Sequence, residues 1–542
     1  MDRAVTSANL MGAFAQQQVE TQTAEFPVPH DDGQTRKASK KKRHALSERR
    51  EKRRRAAQSV LQMRRNLGLE TSQRPTPSNV KAPMGETPQE EADGRFELSA
   101  EHAEMIRVNL PVLLGHIKHI GDPRDPRKIK HSLTCLMLFG ILHFVYQMTS
   151  RREANRKMTG AEFTDKLKTF FPEFDSVPHA DTLARLLKRI DPAEIEGAHI
   201  ALVNKLLKNK VFKSRILDGY LTIAIDGTQK TSGNRQWAEE QLQHTTDSGD
   251  KTSTRFSVYV VEANIVLPGL CLPLLSEFLT FDDGDPESHK QDCEIKAFRR
   301  MVARLKQAMP KRGIRLVLDG LYPNGPTMSL CDDTGWDFMI VLKDGSLPSM
   351  WEEFVGLRSL RASTCHNQSW RGREQRFEFV NNIVYSYDSP AKQIKVHIIV
   401  CFEREPFVND SDEIDHRTSK HAWISSKPLT ESNLHLRCNL CARGRWQIEE
   451  SILDEKHRGY TYEHVYSYDW NAMKAFHYLM RLGHLLNTLA LASQGIATFV
   501  DRLGIKGFFE ILTSTVAAMT FDAYRDRLDE RMVRKRQLRL VA

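Results

Sequence analysis

Two things are scarce in this chain: long apolar runs and cysteine. The longest mainly apolar stretch, Leu133 to Val145, is too short to cross a bilayer and reads as a buried helix. No basic-then-apolar order opens the N-terminus, so no signal peptide and no membrane partner are expected. Eight cysteines scattered over 542 residues form no disulfide framework and fit a reducing, cytoplasmic compartment. Cys438 and Cys441 make a lone CxxC. With no second CxxC or HxxxH behind it, two incidental thiols outweigh a zinc knuckle. Acidic charge is also in the minority. There are 79 Lys and Arg against 69 Asp and Glu, a net charge of +10 with a pI near 9.1. That balance favours a polyanionic partner. The excess is uneven, since residues 1–95 hold 18 Lys/Arg and 12 Asp/Glu and so carry six of the ten net charges.

What is present begins with a polar, charged stretch. Residues 1–95 are rich in Gln, Thr, Pro and Ser with almost no apolar period, which predicts a disordered basic tail. Within it, Arg36 to Arg55 (RKASKKKRHALSERREKRRR) is dense enough to hold nucleic acid through counterion release without reading sequence. A solvated tail or a nuclear-localisation signal has the same composition. Residues 56–67 extend the run as a short basic helix. From 96 to 214 the pattern is helical: Leu98–Gly121, His131–Met148, Ala161–Phe171 and Pro192–Lys208 repeat apolar residues at i, i+3, i+4. Asp181 or Thr182 is placed to cap the helix after His179. This all-α segment is a candidate DNA-binding domain.

At Leu217 the period changes to two. LTIAIDG (221–227) sets Leu221, Ile223 and Ile225 against Thr222, Ala224 and Asp226, and stops at Gly227. Strands at Arg255–Ile265 and Pro268–Leu279 follow, then a helix at Asp292–Met309. The strand IRLVLDG (314–320) again ends on an acid and a glycine, Asp319 and Gly320. A short helix near Thr327–Cys331 and a strand at Trp336–Leu342 complete the series. Strand, strand, strand, helix, strand, helix, strand is the order of a ribonuclease-H-like α/β domain, a mixed sheet flanked by helices. In it the first and fourth strands are parallel neighbours, so Asp226 and Asp319 face each other. Residues 345–435 form a β-rich insertion with its own small sheet. It separates the first part of the domain (215–344) from the second (436–542).

The second part opens with RGRWQIEESILDEKHRGY (443–460). On a helix, Arg445, Glu449 and Lys456 stand at i, i+4 and i+11, within about 40° of one another. One face then offers a carboxylate flanked by two cations; a solvated face with i,i+4 ion pairs has the same pattern. Glu450 lies about 100° round the axis, so Glu449 is preferred over it. Gly459 ends this helix, a buried one runs from Asp469 to Ala492, and helices at Gly495–Val500 and Lys506–Arg539 close the fold. Asp292 and Glu294 are expected at the surface. Trp370 and Trp446 are candidates for stacking a flipped base, with core packing favoured for Trp446.

Together these residues resemble a bacterial DDE transposase of the insertion-sequence-4 group. Its signature is Y-x2-R-x3-E-x6-K on the helix of the third acid, after a β-rich insertion. Arg445, Glu449 and Lys456 match at those intervals, while Ala442 stands at the Tyr position. IDGT (225–228) resembles the first-acid block, and Asp319-Gly320-Leu321-Tyr322 the second, D-x-x-Y/F. The likeness covers residues 97–500 or so. It implies that Asp226 bridges two Mg²⁺ or Mn²⁺ ions about 3.5–4 Å apart, Asp319 completing one site and Glu449 the other. Arg445 as a fork and Lys456 as a point charge would neutralise DNA phosphates. The implied partners are double-stranded DNA, as inverted-repeat ends and as target, and a second copy of the chain. Two other readings use the same residues: a catalytically silent DNA-binding protein derived from such an enzyme, and a stand-alone ribonuclease-H-like nuclease.

Overall fold

The computed structural model describes residues 48, 51–60, 62 and 81–541, apart from 249–250, 281–289, 361–364, 389, 410–413 and 535. The chain divides into two units, residues 1–68 with 406–416 and residues 69–405 with 417–542. Of the first unit, helix α1 (51–60) is described, with an exposed Glu51–Arg55 pair at 3.4 Å. Most of the basic run Arg36–Arg55 lies outside the described residues, as does most of the tail expected to be disordered.

The second unit begins with α2 (Pro88–Ile117), which starts inside the expected tail. The cause is a capping box: Thr87 accepts from the Glu90 amide while the Glu90 carboxylate takes the Thr87 amide, with Pro88 at the first helical position. Five helices follow, α3 (Leu133–Val145), α4 (Arg151–Lys157), α5 (Ala161–Phe170), α6 (Ala180–Leu187) and α7 (Pro192–Lys208). Helix α6 is capped by His179, whose Nδ1 accepts from the Asp181 amide at 3.2 Å, and not by Asp181 or Thr182.

The fold is mixed α/β. Strands β1 (Leu221–Gly233), β2 (Leu242–Ser248), β3 (Lys251–Leu267) and β4 (Leu270–Phe278) lead to α8 (Lys290–Ala308). Next come β5 (Ile314–Leu318), α9 (Gly325–Asp333), β6 (Asp337–Val341) and α10 (Pro348–Leu360), then β7 (Cys365–Trp370), β8 (Arg373–Tyr387), β9 (Lys392–Val408) and β10 (Ile414–Ser425). The chain ends in α11 (Glu431–Leu434), α12 (Trp446–His457), α13 (Trp470–Leu491), α14 (Gln494–Ala518) and α15 (Arg525–Val533). Among the described residues the strands build one ten-stranded sheet, β2-β3-β1-β5-β6-β10-β9-β8-β7, with β4 also on β3.

Three expectations are corrected here. Strand β1 does not stop at Gly227 but continues to Gly233 through an irregularity at Gln229/Thr231. Strand β2 went unseen because LQHTTDS has no apolar alternation; its neighbour β3 imposes the pairing. Among the described residues, the strands of the insertion join the main sheet and do not form one of their own. β10 pairs antiparallel with β6, Trp423 opposite Val341, and so covers an edge that would otherwise stay open.

Strands β1, β5 and β6 run parallel. Sheets of that kind are covered on both faces, and all five residues of β5 are buried. Ile223, Ile225, Leu316 and Leu318 enter the larger core, while Ala224, Val317 and Met339 join Ile448 and Ile452 of α12 in a smaller one. By the two-residue alternation of strands, Asp226 and Asp319 belong to the α12 face. Among the described residues no helix is long and apolar enough to cross a membrane.

Helices α3 and α13 cross where two glycines remove side chains. A Cβ on Gly483 would lie 2.6 Å from the Phe144 Cβ, and one on Gly140 2.8 Å from a Leu479 methyl. Gly483→Val should therefore destabilise the protein by roughly 1–3 kcal/mol through overpacking. Thermal denaturation measures it; an unchanged transition would refute this crossing.

Candidate functional site

Ile225 of β1 pairs with Leu318 of β5 in the parallel register, so Asp226 and Asp319 follow on adjacent strands, which lie about 4.8 Å apart. Each carboxylate is steered by its own backbone. Asp226 Oδ1 accepts from the Gly227 amide at 3.0 Å, and Asp319 Oδ1 from the Leu321 amide at 2.9 Å.

The third acid arrives on a helical run whose winding changes on the way. After α11 the chain makes a π-helical segment, His435–Cys441, and a 3-10 turn, Ala442–Arg445, before α12. Glu449 sits in the first turn of α12. Arg445 is the residue just before that helix and is buried, with Nη2 2.5 Å from Glu449 Oε1. Its Nε has no hydrogen-bond partner among the described residues. Lys456 lies at the other end of α12, 3.2 Å from Glu463. Glu450 faces elsewhere, lining a separate cleft with Ser451 and Asp454.

Asp226, Asp319, Glu449 and Arg445 thus share one neighbourhood. Burial pushes the Asp226 carboxyl up to about 6; Arg445 opposes the shift, and the charges of Asp319 and Glu449 add to it. Among the described residues no three His, Cys, Asp or Glu side chains stand close enough to hold one ion as they are, and Glu449 is engaged by Arg445. The donors are nevertheless carboxylate oxygens, the ligands hard divalent cations prefer. Burial first, and then the charges of Asp319 and Glu449, disfavour the ionised form of Asp226.

Behind the acids lies a buried ionic strut. Glu262 is the cross-strand partner of Asp226, and Arg481 of α13 reaches it at 3.2 Å. The same guanidinium holds Glu455 of α12 through both oxygens, at 3.0 and 3.2 Å. Tyr462 and Ser276 donate to Glu262 at 2.8 and 2.6 Å, and His484 lies 2.7 Å from Glu455. Burial alone would raise both carboxyl pKa values. Arg481, with His477 on Glu262 and His484 on Glu455, holds them below the ordinary range.

Several residues beside the acids escaped the sequence reading. A cleft of about 400 Å³ is lined by Asp319, Lys343, Lys420, His421, Trp423 and Arg445, among others. Lys343 covers Gly320; its place just past β6, next to β5, was the available signal. Trp446 departs from the expected core packing: it is 57% exposed, because α12 buries Ile448 and Ile452 on the opposite side. Trp370, for which the sequence favoured neither role, is buried with Arg371 and Arg443 on its ring. Glu294, expected at the surface, is 5% exposed and lies over Gly227. The side chain of Asp292 is outside the described residues, and Cys438 and Cys441 are buried.

A family model described as DDE_Tnp_1-associated matches residues 114–203, from the end of α2 through most of α7. The match indicates a transposase family of the DDE type. It falls wholly on the helices that precede the sheet. No curated protein matches the chain.

Two measurements probe this site without any substrate. Because the folded pKa of Asp226 is raised, its ionisation opposes folding as pH climbs from near 4 through about 6, and fully above that. Asp226→Asn should therefore stabilise the metal-free protein at pH 8 by on the order of 2 kcal/mol, and not at pH 4, in denaturant titrations. Equal effects at both values would refute the electrostatic account. Arg481→Met leaves two buried carboxylates without their shared cation and should cost roughly 3–5 kcal/mol. A loss below about 1 kcal/mol, the worth of an exposed ion pair, would show the strut to be unimportant.

Proposed function

We propose that the protein is a DNA transposase that cleaves and rejoins phosphodiester bonds at the ends of a mobile element. Asp226, Asp319 and Glu449 would hold two Mg²⁺ or Mn²⁺ ions in a ribonuclease-H-like sheet. The observation that carries the reading is the shared neighbourhood of the three acids. Two of them leave adjacent parallel strands on the face covered by the helix of the third, and all three interact electrostatically. The match over residues 114–203 supports the transposase class independently of those acids. Assignment to the insertion-sequence-4 group rests on R-x3-E-x6-K and on β7–β10 lying between the second and third acids.

When bound, the ions activate the attacking oxygen and neutralise the leaving one. The protein's own residues do the rest. Asp226, on which the charges of both other acids act, would hold the ions together with them. Arg445 sets a guanidinium beside Glu449, and its positive charge would offset that of a nearby phosphate. Lys456 supplies a point charge at the far end of the helix. Lys343 and Lys420 line the cleft at Asp319 and extend the cationic surface along which a duplex backbone would lie. The basic run at 36–55 would add contacts to the same polyanion, and a second copy of the chain would serve the paired ends. Such a protein would work in the bacterial cytoplasm, at the nucleoid.

Labelled duplex DNA from the borders of the encoding element, incubated with the protein and Mg²⁺, should be nicked at the element ends. Substituting Asp226 or Asp319 by Asn, or Glu449 by Gln, should lower that rate roughly a hundredfold or more, and Glu450→Gln should not. Cleavage that survives Asp319→Asn, or that is lost in Glu450→Gln but kept in Glu449→Gln, would overturn the assignment. Binding without cleavage by the wild-type protein would leave only a DNA-binding role.

A further inference from the structure

Two stretches of the second unit hold cations and no acid. Residues 197–217 carry Lys205, Lys208, Lys210, Lys213 and Arg215, and residues 295–318 carry eight Lys and Arg, with no Asp or Glu in either. The fold brings the ends of both together. Arg304 of α8 holds Glu196 of α7, and further along Asn204 Nδ2 of α7 donates to the Ala308 carbonyl of α8 at 2.8 Å. These contacts advance in the same order along both helices, so α7 and α8 run side by side to one end. Past that end the chain enters β1 at Leu221 and β5 at Ile314, which pair in register. Asp226 and Asp319 follow the opposite end of the same strands, about 17 Å away at roughly 3.3 Å per residue.

Lys205, Lys208, Lys210, Lys213, Lys306 and Lys311 are exposed at the end away from the acids, and Arg312 is half-buried beside them. None of these seven cations has an ion pair among the described residues. Arginines deeper in α8 do: Arg300 holds Glu277, and Arg304 holds Glu196 and Glu277. Asp218, the first acid after the α7 stretch, is taken by Arg315 at 3.2 Å.

Two ordinary reasons for cations at this place fall short. A helix C-terminus attracts positive charge but is worth only about half an elementary charge, so α7 and α8 together account for one cation of the seven. Turn formation accounts for no more. Lys210 (φ 60°) and Lys311 (φ 63°) both adopt the left-handed conformation. At the end of α7 the Lys210 amide donates to the Leu207 carbonyl and the Val211 amide to the Leu206 carbonyl, both at 3.1 Å. That is the helix-closing arrangement whose left-handed position favours glycine. A lysine there strains the backbone and adds a charge.

We propose that this end of the second unit is a duplex-DNA contact surface, separate from the catalytic cleft, that holds the phosphate backbone without reading bases. A duplex carries one negative charge per about 1.7 Å of its axis, and lysines on flexible stems meet such a row as point charges. The surface adds a second grip on the DNA at the end of the sheet remote from the acids. It rests on DNA being the partner and not on the acids being catalytic.

The test is binding of the full-length protein to a labelled duplex of arbitrary sequence over a range of KCl, without divalent ions. The triple variant Lys205→Gln, Lys208→Gln, Lys213→Gln should bind roughly tenfold more weakly or worse, and its slope of log affinity against log salt should fall by about 2–3, near 0.9 per lost contact. A control with Lys392→Gln, Lys395→Gln and Lys506→Gln removes as many exposed lysines from β9 and α14 and should bind like the wild type. Equal losses in both would show a dependence on net charge alone and overturn the surface. Wild-type affinity and slope in the first variant would overturn it too and leave the catalytic reading standing; a wild-type protein that binds no duplex would remove both. Preference for RNA over the duplex, lost in the same variant, would overturn the choice of DNA. Lys210→Gly separates charge from folding, because it gives the left-handed position its favoured residue. It should melt no lower than the wild type and still lose about one unit of slope; an undiminished slope counts against the surface.

Discussion

Arg481 is the side chain on which the geometry of the acids depends. It is buried in α13, and its guanidinium is divided between Glu262 on β3 and Glu455 on α12. Glu262 stands opposite Asp226 in the sheet, and Glu455 lies six residues beyond Glu449. One cation therefore joins the strand pair that carries the first acid to the helix that carries the third. Apolar contacts alone would leave α12 free to slide, because Ile448 and Ile452 are few and non-directional anchors. A buried guanidinium with two carboxylate partners is directional, and any slip leaves a charge unpaired where water cannot compensate. Such a strut contributes little net stability and much positional precision.

That precision matters because the surroundings of Asp226, directly across from Glu262 in the sheet, disfavour its charge. Asp226 is raised by burial and by its acidic neighbours, with Arg445 the cation that opposes them. The excess negative charge is a deficit held open by the rest of the fold. Cations are supplied generously a few residues away, at Arg481 and Arg445, and each is already committed to a carboxylate. Ionisable groups perturbed in this way cluster at functional sites.

The parts that could be seen in the sequence are those with a period. Helix α7 has the bounds its apolar spacing predicts, and α3, α5, α9 and α13 begin and end within a few residues of expectation. The alternation in LTIAIDG and IRLVLDG marked two strands leading to Asp226 and Asp319, and the order of the elements made them parallel neighbours, as β1 and β5 are. What lacked a period was missed. Strand β2 is polar throughout, and the α2 cap turns on two side chains, Thr87 and Glu90, in a stretch whose composition reads as tail. The buried charges were invisible for a deeper reason. Nothing local distinguishes Glu262, Glu455 or Arg481 from surface residues, since their burial follows from partners about 20 to 220 positions away. Glu294 sits in an acidic stretch with the same composition as any solvated loop, and only the fold reveals that α8 carries it to Gly227.

The insertion, for the same reason, is more than an appendage. By pairing β10 with β6 it continues the sheet past Asp319 rather than hanging beside it. Lys343 leaves the end of β6 and Lys420 the middle of β10, so the two cations meet at the cleft beside the second acid. A sheet of its own, as the sequence suggested, would have left that edge open and those lysines unplaced. The same strand delivers Trp423 beneath Arg443, which reaches back to Glu403 on β9 at 2.6 Å and fixes the chain two residues before Arg445. Strands inserted between the second and third acids thus help to determine where the third one arrives. Arg481 sets its position from the helical side and Arg443 from the sheet side, so Glu449 is located by two charged anchors on separate elements.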